Sequence, residues 1–577
     1  MTMVSPLVLS ICALVMAGVS ASPAAADTLP DPLAEGWMSE AFAENAGKTL
    51  NQLAENVKNN DLTGYAGIPS DQLRPASKPV VYPGPDFSVA RGETPATSSQ
   101  KRLTLDAALS EVRGRFSKAE PPRMKFKIFG VSGETTRQYV SFFGPSGKGL
   151  LEINATWKIR WKDGRATMPA EVRLEAYEEI LRSAAQPLFI DATNAVMPTS
   201  ADVRQQYFTG TDSWRERIES FNRLFKFAYC GMAIGDADGD GLDDLFSCQN
   251  GGLPNRLFLQ NSDGSLRDAT AGSGLGALDA TQGALFLDLD NDGDQDLVAS
   301  MPSGLIFYEN LGGARYEARA KSRIAEAGYS LAAADYDGNG YVDVYVCRYH
   351  ADRKDGASLA VPVPYFDARN GGANYLVRNL GPSKSGGWLE FDDATGEAGL
   401  NVNNNRFSFA ALWDDLDGDG DSDLIVANDY GRKTCYFNDL VPTGKPHFRE
   451  VAESIGLGDG GFGMSVASGD FDRNGTRDLY FGNMFSAAGS RITRQPNFRP
   501  GDSGTIVAEF QHMAGGNTLY LGRGNDGKPG FKEVSESSGT AMGRWSWSAV
   551  PGDLNHDGWE DLLVANGYIT GRDPGDL

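Results

Sequence analysis

The sequence predicts a mainly β fold: a six-bladed β-propeller, with seven blades as the alternative count, behind a small N-terminal α+β domain. Three observations carry this reading. Nine-residue acidic segments of one template recur six times between residues 236 and 561. Each is followed by a run of β-branched and aliphatic residues, and short strand-like runs with turn signals fill the spacing between them. At 577 residues and 41% hydrophobic, the chain can bury more than one core.

The acidic segments are DADGDGLDD (236–244), DLDNDGDQD (288–296), DYDGNGYVD (335–343), DLDGDGDSD (415–423), DFDRNGTRD (470–478) and DLNHDGWED (553–561). A small apolar strand enters each, as in GALFL and SLAAA, and an apolar strand leaves it, as in LVAS, LIVAN and LLVAN. A further strand follows in most repeats: NRLFLQN, LIFYEN, NYLVRN, TCYFND, NTLYLG. A fourth ends in a shared cadence, SLRDATAGSGL or EFDDATGEAGL. Four short strands in every 47–83 residues is the pattern of a propeller blade. The two longest spacings contain insertions, around 350–372 and 484–515, which in repeat proteins collect on a binding face. The last repeat, LLVANGYITGRDPGDL, has its two inner strands alone, while PLFIDAT (187–193) repeats the outer cadence. That N-terminal strand is therefore expected to complete the last blade and remove an exposed edge.

Upstream, an apolar run from Leu7 to Val19 followed by Ala24-Ala25-Ala26 reads as a signal peptide over residues 1–26. No other run approaches the roughly 20 residues of a membrane span. Residues 27–100 read as a helical arm (Trp37, Phe42, Leu50, Leu53) and a linker rich in Pro and Ser, and residues 101–186 as the α+β domain. In that domain LTLDAALSEVRGRF and EVRLEAYEEILRSA are expected to be helical, and RMKFKIFGVS, RQYVSFFGP and LLEINATWKIRW to be strands. The propeller takes residues 187–577. Cys230 and Cys248 flank one acidic loop and either pair or stand as separate thiols.

The template D-x-[DN]-x-[DN]-G-x-x-D has the chemistry of a hard cation site. Ca2+ takes six to eight oxygen ligands, and alternate positions of a tight loop place side-chain oxygens on one side. The expected ligands at positions 1, 3, 5 and 9 are Asp236, Asp238, Asp240 and Asp244 in the first loop. They are Asp288, Asp290, Asp292 and Asp296 in the second, and Asp335, Asp337, Asn339 and Asp343 in the third. The fourth loop offers Asp415, Asp417, Asp419 and Asp423, and the fifth Asp470, Asp472, Asn474 and Asp478. The sixth offers Asp553, Asn555, Asp557 and Asp561. Glycine at position 6 permits the turn. An EF-hand would need Glu at position 12, where these loops have Ser247, Ala299, Val346, Val426, Phe481 and Val564. Carboxylate count predicts tightest binding at 288–296 and 415–423, which add Asp294 and Asp421, and weakest at 470–478. Asp414 and Asp421 are expected to act as electrostatic supplements.

These loops with their strands resemble the FG-GAP/VCBS repeats of integrin α-subunit propellers, FGMSVASGDFDRNG (462–475) most closely. NRLFLQN…DAT…AGL and VANGYITG more closely resemble bacterial VCBS-repeat proteins of the cartilage acidic protein type. The resemblance covers residues 187–577. It implies calcium, a secreted, periplasmic or cell-surface protein, and a propeller that supports adhesion or assembly, commonly with seven blades.

A formal charge of −23 excludes a nucleic-acid partner, because phosphate binding needs clustered Lys and Arg. Up to six Ca2+ ions would offset about half of it. The favoured function is a calcium-stabilised extracellular scaffold that binds a protein or glycan and is not catalytic. The alternative, a polysaccharide lyase or hydrolase, would need a general acid or base in a cleft. Its candidates are Arg348, Tyr349 and His350 on the first insertion, or Arg544, Trp545 and Trp547 before the last loop. The α+β domain offers a third possibility, a small-ligand site.

Overall fold

The computed structural model describes residues 37–92, 102–147, 149–183, 189–209, 214, 217–218, 231–322, 324, 328–350, 361–523 and 529–567. They fall into two units. One holds the described residues up to Asp191 together with Ser486–Gly501; the other holds Ala192–Phe485 and the described residues from Asp502 onward.

The first unit is built on one sheet. Its strands are β1 (Pro69–Asp71), β2 (Val80–Tyr82), β3 (Phe87–Gly92), β4 (Arg102–Thr104), β5 (Arg123–Ser132), β6 (Thr135–Ser146), β7 (Gly149–Trp161) and β8 (Pro169–Arg182). The order is β2-β3-β8-β7-β6-β5, with β1 bridging β4 and β8. Residues 171–182, expected to be helical, are thus part of a strand. A register shift opposite Thr156/Trp157 leaves Glu175 as an extra residue, so buried Val172, Leu174 and Tyr177 lose strict alternation. Nor is the segment before residue 101 an arm and a linker. The helix Met38–Asn59 buries Phe42, Ala46, Leu50, Leu53 and Val57 along one face, in the same core as Trp157 and Trp161. Three strands of the expected linker, β1 to β3, join the sheet. The helix Ala487–Ile492, part of the second insertion, also belongs here. Arg491 pairs with Glu40 (2.6 Å) and donates to the Ile128 carbonyl (2.6 Å).

The second unit repeats one motif. Four-stranded antiparallel sheets are formed by β9–β12 (Met232–Gly235, Asp244–Ser247, Arg256–Gln260, Leu266–Asp268) and β13–β16 (Gly283–Leu287, Asp296–Met301, Gly304–Asn310, Tyr316–Ser322). The third comprises β17–β20 (Ser330–Ala334, Asp343–Cys347, Tyr375–Pro382, Leu389–Asp393). The fourth has β21 (Phe407–Asp414), β22 (Asp423–Asp429), β24 (Thr434–Asn438) and β25 (Phe448–Glu450), while β23 (Gly431–Arg432) pairs with β26 (Gly460–Gly461). The fifth is β27–β30 (Ser465–Gly469, Asp478–Gly482, Thr518–Gly522, Phe531–Glu533). Each acidic segment is the turn between first and second strands. The first strands β9, β13, β17, β21, β27 and β31 lie beside one another in chain order.

Among the described residues the last sheet has two strands, β31 (Ser546–Gly552) and β32 (Asp561–Asn566). The expected closing strand is not found: Phe189 to Ala192 form no strand, and Phe189 and Ile190 are exposed. Residues 187 and 188 lie outside the described residues. The consequence shows in burial. LIVAN of β22 is wholly buried, whereas LLVAN of β32 leaves Leu563 49% exposed. Cys230 lies outside the described residues, so its pairing with Cys248 is not described; Cys347 and Cys435 are buried thiols. Among the described residues no helix is long and apolar enough to cross a membrane.

Candidate metal centres

Every loop is wound by the same hydrogen bonds. The carboxylate at position 1 accepts backbone N–H groups from positions 5 and 6 or their neighbours. Gly239, Asp240 and Gly241 donate to Asp236 (2.8, 3.0 and 2.9 Å), and Gly418 and Gly420 to Asp415 (2.8 and 3.2 Å). Asn339 and Gly340 serve Asp335, Asn474 and Gly475 serve Asp470, Asp557 and Gly558 serve Asp553, and Gly293 serves Asp288. In the second to sixth loops position 3 accepts from position 5, as in Asp292 to Asp290 (3.3 Å) and Asp419 to Asp417 (3.2 Å). These tight turns force the left-handed region at position 6, where glycine stands in all six loops, Gly420 at φ +96° for example.

Position 9 is the anchor. One oxygen of Asp244, Asp296, Asp343, Asp423 and Asp478 accepts the N–H of position 2: Ala237 (2.8 Å), Leu289 (3.1 Å), Tyr336 (3.2 Å), Leu416 (3.0 Å) and Phe471 (2.7 Å). The other accepts an N–H at or near the end of the sheet's third strand, from Gln260, Asn310, Asn379, Asn438 and Gly522 respectively (2.7–2.9 Å). One side chain thereby pins the loop to two strands. In the two-stranded last sheet Asp561 keeps the first bond, from Leu554 (3.1 Å).

This winding gathers carboxylates. Ligand atoms within 4.8 Å of one another come from Asp236, Asp238 and Asp244; from Asp288, Asp290 and Asp292; and from Asp335, Asp337 and Asp343. The same holds for Asp415, Asp417 and Asp423, and for Asp470, Asp472 and Asp478. Of the expected position-5 aspartates, Asp240 and Asp419 stay in their loops but outside these triplets, and in the second loop Asp292 takes the place of Asp296. Among the described residues the sixth loop forms no such triplet: its position 3 is Asn555, which accepts from Asp557 N–H (2.9 Å).

The electrostatics are unfavourable for bare carboxylates. Burial pushes Asp296, Asp343 and Asp423 up to about 8, with neighbouring aspartates adding to it and backbone N–H groups opposing it. Asp294 and Asp421 are raised to about 6, again by burial first and then by like charge. Buried oxygens without a hydrogen-bond partner remain on Asp238, Asp288, Asp294, Asp419 and Asp421. Such atoms are costly unless a cation takes them. The donor set, carboxylate oxygen throughout, fits a hard dication such as Ca2+.

Two supplements turn out to be connectors. Asp421 is buried and accepts from Val441 N–H (2.8 Å). Asp414 accepts from Ser468 and pairs with Arg477 (3.2 Å), tying the fourth sheet to the fifth.

The catalytic candidates are packing residues. Tyr349 is buried, with its hydroxyl donated to Asp429 (2.6 Å), and Arg348 is buried over the Tyr375 ring. His350 lies edge-on to Tyr349. Trp545 and Trp547 stack on each other, and Trp547 donates to the Gly567 carbonyl (2.6 Å). The Phe409 ring touches both Tyr349 and Trp547. Sequence reasoning missed Asp429, raised to about 7 by burial, and the cluster in which Asp459 meets Lys433 (2.8 Å), His512 (2.6 Å) and the Tyr520 hydroxyl. An isolated Asp in a polar stretch carries no pattern that announces burial.

The model of the FG-GAP-like repeat matches residues 236–299, 288–346, 415–481 and 505–564. No curated protein matches the sequence significantly. Among solved structures, an Agrocybe aegerita lectin that recognises non-reducing terminal N-acetylglucosamine is similar at 15% identity and a TM-score of 0.35, over 59% of this chain and 75% of that one. The V. cholerae biofilm matrix protein Bap1 is similar at 13% and 0.24, over 45% of this chain and 35% of that one. A chain of the Photorhabdus luminescens Tc holotoxin pore is similar at 15% and 0.24, over 69% of this chain and 15% of its own. The four matches place FG-GAP-like repeats over the acidic loops and their sheets between residue 236 and residue 564.

Proposed function

We propose that this chain is a secreted or cell-surface calcium-binding β-propeller that acts as a non-catalytic binding scaffold, with Ca2+ structural in the blade loops. The observation that carries it is the set of five carboxylate triplets, each wound at the turn between the first two strands of a sheet. A cation there neutralises the repulsion and fixes the loop that position 9 ties to the third strand. The sequential neighbourhood of the first strands supports a propeller arrangement with the two-stranded sheet as an unfinished sixth blade. Its partner is an extracellular protein or glycan; the charge of −23 disfavours nucleic acid.

The test is a thermal melt of the full chain with Ca2+ and with EGTA. A ligand bound only by the native state adds about 2.7 kcal/mol per site at a hundred times its Kd. Calcium is therefore expected to raise the melting temperature by several degrees, and Mg2+ by less, since Mg2+ demands octahedral geometry and keeps its waters. Identical melts in calcium and chelator would overturn the reading.

A further inference from the structure

The first unit has a charge balance that the chain's total hides. Residues 37–183 hold 21 Lys and Arg against 17 Asp and Glu, although the whole sequence is −23. The surplus gathers on one face of the sheet. Val140, Phe142, Trp157 and Ile159 share a core with the helix Met38–Asn59, so the alternate residues of β6 and β7 stand on the outer face. There Arg137, Lys158 and Arg173 lie directly opposite one another on β6, β7 and β8. Like charges so placed repel. The row on one side is Thr135, Arg160 and Glu171, and the row on the other is Lys127, Tyr139, Thr156 and Ala176. Arg137 pairs with the bulged Glu175 (2.7 Å), while Glu171 is shared by Arg160 (3.6 Å), Arg173 (3.1 Å) and, from β4, Arg102 (2.7 Å). Lys158, in the middle, is exposed and meets no carboxylate among the described residues. Three adjacent rows thus hold five cations and two carboxylates, and Arg137, Arg160 and Arg173 are each about half exposed.

We propose that this face binds an acidic polysaccharide, whose uronate carboxylates accept from the cations while its hydroxyls meet Tyr139 and Thr156. Neighbouring strands lie about 4.8 Å apart, close to the length of one sugar residue in an extended chain, so successive uronates can meet successive strands. A sheet face offers a series of separate contacts and no enclosing pocket, which suits a polymer better than a small anion. Single-stranded nucleic acid needs open aromatic faces for its bases. Here Phe129 is stacked on Tyr139 (4.3 Å between centroids) and covered by Arg137 (5.1 Å). A membrane surface would call for apolar residues to insert, and among the described residues of β5 to β8 Phe143 alone is large, apolar and exposed. The proposal goes beyond the scaffold reading, since it concerns the first unit and needs no calcium.

The full chain in EGTA, which removes calcium bridges between aspartates and uronates, is titrated into fluorescently labelled oligogalacturonate and followed by anisotropy. Unlabelled oligogalacturonate, cellohexaose, poly-L-glutamate, single-stranded DNA and phosphatidylglycerol vesicles compete. Oligogalacturonate is expected to bind, more weakly as NaCl rises. Lys158→Glu should lower affinity about tenfold, roughly 1.4 kcal/mol, and Lys158→Gln by less. Neither should lower the melting temperature, because each removes the middle cation of a repelling row. Lys48→Glu makes the same charge change on the helix that covers the other face and should leave binding unchanged. No oligogalacturonate bound, equal affinity in both Lys158 variants, an equal loss in Lys48→Glu, or any other competitor matching unlabelled oligogalacturonate would each overturn the proposal.

Discussion

Toward the end of the third strand the carboxamides of Asn310, Asn379 and Asn438 donate to Ala237, Leu289 and Tyr336 of the preceding acidic loop, and this inter-sheet lock yields a prediction whose size follows from the structure. Asn438 is 1% exposed and its carboxamide donates to the carbonyl of Tyr336, itself 2% exposed. Asn438→Ala keeps the backbone N–H bond to Asp423 but leaves the Tyr336 carbonyl without that donor. An unmet buried acceptor costs about 1–3 kcal/mol. The substitution also removes Asn438 Oδ1, a buried oxygen with no partner, so the lower half of that range is expected, about 1–2 kcal/mol. The repeat unit has about 370 residues. At about 2.1 cal/mol/K per residue, the melting temperature should fall by roughly 1–3 °C. Calorimetry of wild type, Asn438→Ala and the control Gln260→Ala decides it. Gln260 stands at the same place in the first sheet, where its N–H bond to Asp244 survives truncation. An Asn438→Ala melt equal to wild type, or an equal drop in Gln260→Ala, would refute the lock.

Three further substitutions probe buried and half-buried carboxylates. Asp343→Asn should cost more in Ca2+ than in EGTA, because burial already pushes Asp343 up to about 8 and keeps it largely protonated at neutral pH without a cation; equal costs in paired melts would contradict this. Burial works to raise Asp459, but Lys433 and His512 outweigh it and hold the carboxyl well below the usual range. Its folded value lies below the unfolded one, so its contribution is present above about pH 4 and lost as pH falls further. Asp459→Asn should therefore lower stability at pH 7 and flatten the acid limb of a urea-midpoint series; a parallel acid limb would count against the cluster. Glu179, buried, accepts from Arg74 (2.9 Å), Arg115 (3.1 Å) and Tyr177 (2.9 Å). Glu179→Gln strands two guanidinium groups and should destabilise the N-terminal unit by about 3 kcal/mol, read as lost amide protection in β7 and β8; unchanged exchange would argue against it.

What the sequence disclosed tracks how often each physical demand repeats. A turn that gathers aspartates needs Gly at position 6 and Asp at position 9, and six copies of that demand are visible without coordinates. The N-terminal unit makes each demand once. There a single bulge at Glu175 was enough to turn a strand's alternation into an apparent helix, and the β8 partners of β1 and β3 lie about a hundred residues away, beyond any local pattern. The burial of Asp429 and the ion cluster around half-buried Asp459 are likewise tertiary facts with no period. The locks fall between these cases. Their signal stands in the strand endings LIFYEN, NYLVRN and TCYFND, where a polar residue closes each apolar run. Taken alone, an asparagine there reads as an ordinary strand terminator. Only the register, which sets its N–H on Asp at position 9, aims the carboxamide back at the preceding loop. NTLYLG then gains meaning as a departure: the one ending in Gly, at Gly522, borders the junction that opens into a cavity. In a repeat protein the copies define what each position is for, and the copy that breaks the rule shows where the packing between sheets changes.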